Sequence, residues 1–162
     1  MAETKYIVFQ LDKYKYGIKL AVIKGIENDY NIVPIPVGAD NMRGIIHLRG
    51  DIVPLFDLKK KFQLDNGTKS DDTQLLIAET HGIKLGLEVD AVIGILPVEE
   101  EDIKPVPKVI KTEETDYIEN IIKIDCGGKP EIVLSVAIDN IMSDVDFENV
   151  SRTIEDVSSE EE

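Results

Sequence analysis

Few residues of this chain could make or break bonds. Two histidines, His47 and His81, are the candidate bases, and one cysteine, Cys126, is the candidate thiol nucleophile. Nucleophilic catalysis needs a nucleophile beside an oriented base, and the chain contains no Gly-x-Ser-x-Gly elbow to supply one. Neither histidine has a Cys or His neighbour at metal-ligand spacing. Cys126 falls in a glycine-containing loop, with no second cysteine to resolve an oxidised form. Glu99-Glu100-Glu101-Asp102 offers oxygens suited to a hard cation. Consecutive side chains diverge, however, and the periodic spacing of a calcium loop is absent, so the run reads as a solvated linker. Gly82, Gly86 and Gly94 are too widely spaced for a dinucleotide fingerprint, and no Gly-Lys-Ser or Gly-Lys-Thr step is present to cradle phosphates. No cofactor and no metal is expected, and the residues point to a binding protein rather than an enzyme.

The most distinctive segment is Asn41 to Phe62, NMRGIIHLRGDIVPLFDLKKKF. Gly44 and Gly50 permit backbone bends at either end of an apolar strand, and Pro54 ends ladder donation in the next. Asp57 is placed to cap a short helix through Leu58 to Phe62, where its charge suits the helix N-terminus. Arg49 therefore stands at a strand end, presenting a planar fork of donors that fits a carboxylate. His47, two residues earlier, has hydrogen-bonding capacity and could add charge near neutral pH.

The elements that position this segment read as β throughout. Tyr6 to Leu11 alternates with Ile7, Phe9 and Leu11 on one face, and Tyr16 to Leu20 resumes after Asp12-Lys13. Val22 to Ile26 and Ile32 to Val37 follow, the second carrying Pro34 and Pro36, which suit an edge or bend. Ile45 to Leu48 and Ile52 to Leu55 pair around Arg49-Gly50-Asp51. Asn66-Gly67 marks a turn within a polar loop over 65–73. Gln74 to Ala78 and Lys84 to Val89 join across His81-Gly82, Val92 to Val98 follows, and Glu99 to Pro107 reads as a charged linker. Ile118 to Ile124 and Ile132 to Ile138 flank a hairpin loop from Cys126 to Pro130, and Asp139 is placed to cap a helix through Met142. One echo suggests duplication: Gly17-Ile18-Lys19-Leu20 leads to Ile23, Gly25 and Ile26 as Gly86-Leu87-Glu88-Val89 leads to Val92, Gly94 and Ile95.

The chain has 162 residues and is 43% hydrophobic with 6% aromatics, enough for one ordinary core rich in β-branched residues. Its net charge of −14 repels phosphate backbones and anionic lipid heads, so neither nucleic acid nor a membrane surface is an expected partner. A lone cysteine and an N-terminus with neither a basic nor an apolar leader region suggest a reducing, cytoplasmic setting. The expected organisation is a single all-β domain over 1–143, made of two barrel subdomains with an approximate boundary in the loop 65–73 and terminal elements that cross over. An acidic, mobile tail is expected over 144–162.

At Asn41 to Phe62 the sequence resembles the CheW family, the coupling proteins of bacterial chemotaxis. The family hallmark is Asn-Leu-Arg-Gly, then an apolar stretch, Pro, and Asp-Leu-basic; here it is met by His47-Leu48-Arg49-Gly50, Pro54 and Asp57-Leu58-Lys59, with His47 the one departure. Tyr6 to Gly17 resembles the family's opening, Gly86-Leu87-Glu88-Val89-Asp90 its Gly-Leu-x-Val-Asp element, and Asp102-Ile103-Lys104-Pro105 its proline-bearing linker. The resemblance implies two SH3-like five-stranded barrels sharing a hydrophobic core. It also implies a non-enzymatic adaptor that binds the regulatory domain of the histidine kinase CheA and the cytoplasmic tip of chemoreceptors, in arrays at the inner face of the membrane. The partner-binding positions it implies are Ile23, Ile26, Gly44, His47, Arg49 and Asp90. Ile23 and Ile26 could equally be ordinary core. Gly25 stands where many members carry a Glu that could pair with the motif arginine, so Arg49 either uses another acid, such as Glu27, or is free for a partner's carboxylate. The alternatives are a coupling protein of a parallel pathway, such as pilus or gliding control, and a small β-barrel ligand binder or enzyme.

Overall fold

In the computed structural model, residues 3–34, 42–62, 64, 72–108 and 117–141 are described. Short apolar-alternating runs separated by turn residues give strands almost throughout. In chain order these are β1 (Glu3–Leu11), β2 (Tyr14–Lys19), β3 (Ile23–Glu27), β4 (Ile32–Val33), β5 (Met42–Leu48) and β6 (Asp51–Phe56), then helix α1 (Leu58–Lys61). The second half repeats the scheme with β7 (Gln74–Thr80), β8 (Ile83–Val89), β9 (Ala91–Glu99), β10 (Ile103–Lys104), β11 (Ile118–Cys126), β12 (Lys129–Val136) and helix α2 (Ile138–Ile141).

The strands form two sheets, ordered β9-β1-β2-β12-β11-β10 and β3-β7-β8-β6-β5-β4. Written this way the two orders correspond position by position, and each holds one parallel pair, β2 with β12 and β8 with β6. Each sheet belongs to a small SH3-like barrel. The strands at one end are exchanged: β3 leaves the first hairpin to pair with β7, and β9 leaves the β7–β8 hairpin to pair with β1. The duplication suggested by the glycine echo is therefore structural. Gly17 and Gly86 occupy equivalent places at the parallel pairs, opposite Ser135 and Leu55. A Cβ there would stand 3.1 Å from Val133 Cγ1 or 3.2 Å from Leu75 Cδ1.

One hydrophobic cluster joins the barrels, taking Ile7, Phe9 and Ile18 from the first sheet, Leu76, Leu85 and Leu87 from the second, and Leu58, Ile138 and Ile141 from the helices. Full burial of one such side chain stabilises by about 1.5–3 kcal/mol. Each barrel also has a satellite core, and their members correspond: Tyr6, Val8, Ile122 and Val133 in one, Leu75, Ile77, Ile46 and Val53 in the other.

Several local expectations change. Glu99 to Pro107 is not simply a linker, because Glu100–Asp102 forms a 3₁₀ turn and β10 pairs Ile103 with Ile122. Hairpin β11–β12 closes at Gly127-Gly128, so β12 begins at Lys129, and Ile138 starts the helix instead of ending the strand. Asp139 consequently lies inside the first turn of α2 and is not its cap. Asp57 does cap α1, its Oδ1 accepting from the Lys60 amide at 3.1 Å. The continuation of β4 towards Val37, the Asn66-Gly67 turn, the tail from Asp144 and the side chain of Cys126 lie outside the described residues.

Candidate functional site

The β5–β6 connection is a two-residue hairpin in which Arg49 and Gly50 both take positive φ, 51° and 84°. A primed turn of this kind matches strand twist, at a strain on the order of 1 kcal/mol for a non-glycine residue. The turn carries the Arg49 guanidinium to the end of β3, where Nη2 lies 2.9 Å from Glu27 Oε1. The acid Gly25 cannot supply thus comes from Glu27, the alternative of a wholly unpaired arginine does not hold, and the pair ties β3 to the β5–β6 turn. Its members differ in exposure: the Glu27 side chain is 17% exposed and that of Arg49 78%, so most of the guanidinium stays open to a partner.

Around this pair the other expected residues separate. Ile26 is 37% exposed. Ile23 is half-buried and packs against the shared core, so the two aliphatics have different environments. His47 is exposed on β5, opposite Ile52. Gly44 is buried where β4 crosses close to β5, and a Cβ on it would meet the Val33 carbonyl oxygen at 2.5 Å. Asp90 is placed in another constellation, at the crossover from β8 to β9. There its Oδ2 accepts from the Asp12 amide at 2.7 Å and its Oδ1 lies 2.6 Å from Lys59 Nζ.

Two features were not read from the sequence. Ile93 and Ile95 on β9 are 42% and 49% exposed, and Ile95 occupies the place on its exchanged strand that Ile26 occupies on β3. The glycine echo, which aligns Gly25 with Gly94, is the signal that could have found this row. Second, Glu88 in β8, with its side chain only 9% exposed, accepts from Tyr30 Oη at 2.6 Å and pairs with Arg43. Burial, and then the bond to Glu88, push the Tyr30 phenol well above its ordinary range. Strand alternation sets Glu88 on the face opposite Leu85, Leu87 and Val89, and its partners Tyr30 and Arg43 come from distant parts of the chain, so nothing local in the sequence marked it. Among the described residues no group of three or more His, Cys, Asp or Glu side chains is placed to hold a metal ion, and no helix is long and apolar enough to cross a membrane.

Comparison with known proteins agrees with this geometry. The family model of the CheW-like domain matches residues 5–146. The chain is 31% identical over 121 residues to the chemotaxis protein CheW of Treponema pallidum (strain Nichols), covering 72% of this chain and 71% of that protein. It is 29% identical over 119 residues to chemotaxis protein CheW of Bacillus subtilis (strain 168), covering 74% and 76%. The crystal structure of the scaffolding protein TtCheW from Thermoanaerobacter tengcongensis superimposes with a TM-score of 0.75 at 34% identity, covering 85% of this chain and 90% of that one.

Proposed function

This chain belongs to the CheW-like domain family of chemotaxis scaffold proteins, and on that basis we propose that it is a non-enzymatic adaptor that couples chemoreceptors to the histidine kinase CheA. The observation that carries the reading is the pair of exposed aliphatic positions on the exchanged strands, Ile26 on β3 and Ile95 on β9. Exposed apolar positions on strands at the edges of sheets suit a protein partner better than a small ligand. An apolar receptor tip would cover them, with Ile93 extending the row.

In the same reading Arg49 shapes the rim of this surface. Paired with Glu27, it holds the β5–β6 turn beside β3, and its exposed donors face an incoming acid on the kinase or receptor. His47 flanks it, while Gly44 and Asp90 act through the backbone and the crossover they stabilise. The domain would span 1–143 with the segment 144–162 as an acidic tail, working in the cytoplasm at receptor arrays. Co-purification with a CheA regulatory fragment and a receptor-tip fragment tests the proposal: capture of both supports it, and capture of neither overturns it.

A further inference from the structure

The duplicated topology places two polar junctions at equivalent positions, and each crosses from one barrel to the other. In the first, Lys59 on α1, which follows β6 of the second sheet, reaches Asp90 at 2.6 Å. Asp90 in turn holds the β1–β2 turn of the first sheet through the Asp12 amide at 2.7 Å, and its own amide donates to the Gln10 carbonyl at 2.9 Å. In the second, Asp139 on α2, which follows β12 of the first sheet, accepts from Thr80 Oγ1 and lies 3.8 Å from His81 Nε2, at the β7–β8 turn of the second sheet. The correspondence extends to single residues. Lys59 and Asp139 are each the second residue of their helix, after the buried Leu58 and Ile138. Asp12 and His81 are each the first residue of their hairpin turn, with φ of 57° and 51°. Chemistry and route differ, since Lys59 reaches its hairpin turn through Asp90 while Asp139 meets its turn directly through Thr80 and His81, but both tie the helix that follows one sheet to a hairpin of the other.

We propose that these junctions are a matched pair of clamps that fix the angle between the barrels, and so position the exposed rows of β3 and β9 relative to each other. Each helix has only four residues, too short to be stable by itself, so its place is set by what it packs against. The shared core between the barrels is apolar and non-directional, whereas hydrogen bonds and ion pairs prescribe one geometry. Lys59 and Asp139 are on this view positioning residues that act on the docking strands without touching the partner. The consequence for docking rests on the adaptor reading; the clamp geometry does not.

The test separates the two. In full-length protein with Cys126→Ser, spin labels at Lys24→Cys on β3 and Lys123→Cys on β11 report the distance between sheets. Lys59→Met keeps the apolar stem and removes the charge, and Asp139→Ala removes the acceptor that Thr80 and His81 face. The expected result is an unchanged circular dichroism spectrum with a roughly twofold broader distance distribution in the double variant, and a smaller broadening in Lys59→Met alone. An unchanged distribution in a folded double variant overturns the proposal. If that variant does not fold, an unchanged distribution in Lys59→Met overturns it instead. As a control, Ile26→Asp should abolish receptor-fragment binding without moving the distance, so failure of the adaptor reading would appear there and not in the distances.

Discussion

Gly44 shows how little room a single position can have. The Val33 carbonyl sits where a side chain would begin, so Gly44→Ala must push β4 away from β5, at about 1–3 kcal/mol by analogy with overpacked cores. A shift of the urea midpoint of that size is the expected outcome, and an unchanged midpoint would show that β4 yields freely. Arg49 is the opposite case. Its ion pair is largely exposed on the arginine side, so Arg49→Ala should cost about 1 kcal/mol or less in stability yet weaken partner binding on the order of tenfold. Calorimetry with a partner fragment, beside a thermal melt, distinguishes this from a structural role, in which the melt would move and the affinity would follow it. The sequence made Arg49 conspicuous and named Glu27 among its possible acids. It could not choose between Glu27 and a partner, because that depends on how closely the β5–β6 turn approaches the end of β3.

Strand and helix boundaries were legible wherever turn chemistry was strong. Hairpins at Asp12-Lys13, Arg49-Gly50 and His81-Gly82 fall where the turn residues place them, as does the Asp57 cap. The short β10 was not legible, because two residues in a charged stretch become a strand only when β11 offers a partner to Ile103. Asp139 misled because an acid near a helix start resembles a cap, whereas here Thr80 claims its carboxylate. The same long-range packing brings β2, the residue ending α1 and the residue before β11 together as an aromatic stack. Ring centroids of Tyr16 and Phe62 lie 5.1 Å apart, and those of Phe62 and Tyr117 4.2 Å. Burial raises both phenol pKa values above their ordinary 10.0. The folded state therefore holds those protons more tightly than the unfolded chain does. This stability is intact below about pH 10 and falls as pH climbs beyond it, by at most about 1.4 kcal/mol per pH unit for each group. Melts at alkaline pH should show that fall, and Tyr16→Phe should reduce its slope; an equal slope in the variant would place the linkage elsewhere.

For the whole molecule, two halves with the same strand order exchange one strand each, and the largest apolar cluster belongs to both. The sequence disclosed the duplication through the glycines at 17, 25, 86 and 94, but not the exchange, since pairing partners distant in the chain leave no local trace. Exchange puts Ile26 and Ile95 on equivalent strands of opposite barrels, and the adaptor reading depends on that placement. Its most direct measurement is capture of a receptor-tip fragment and a CheA regulatory fragment by the parent protein and by an Ile26→Asp, Ile95→Asp variant verified to be folded. The predicted result is that the parent captures both and the variant loses the receptor fragment. Equal capture of the receptor fragment by parent and variant, or capture of neither partner by the parent, would contradict it.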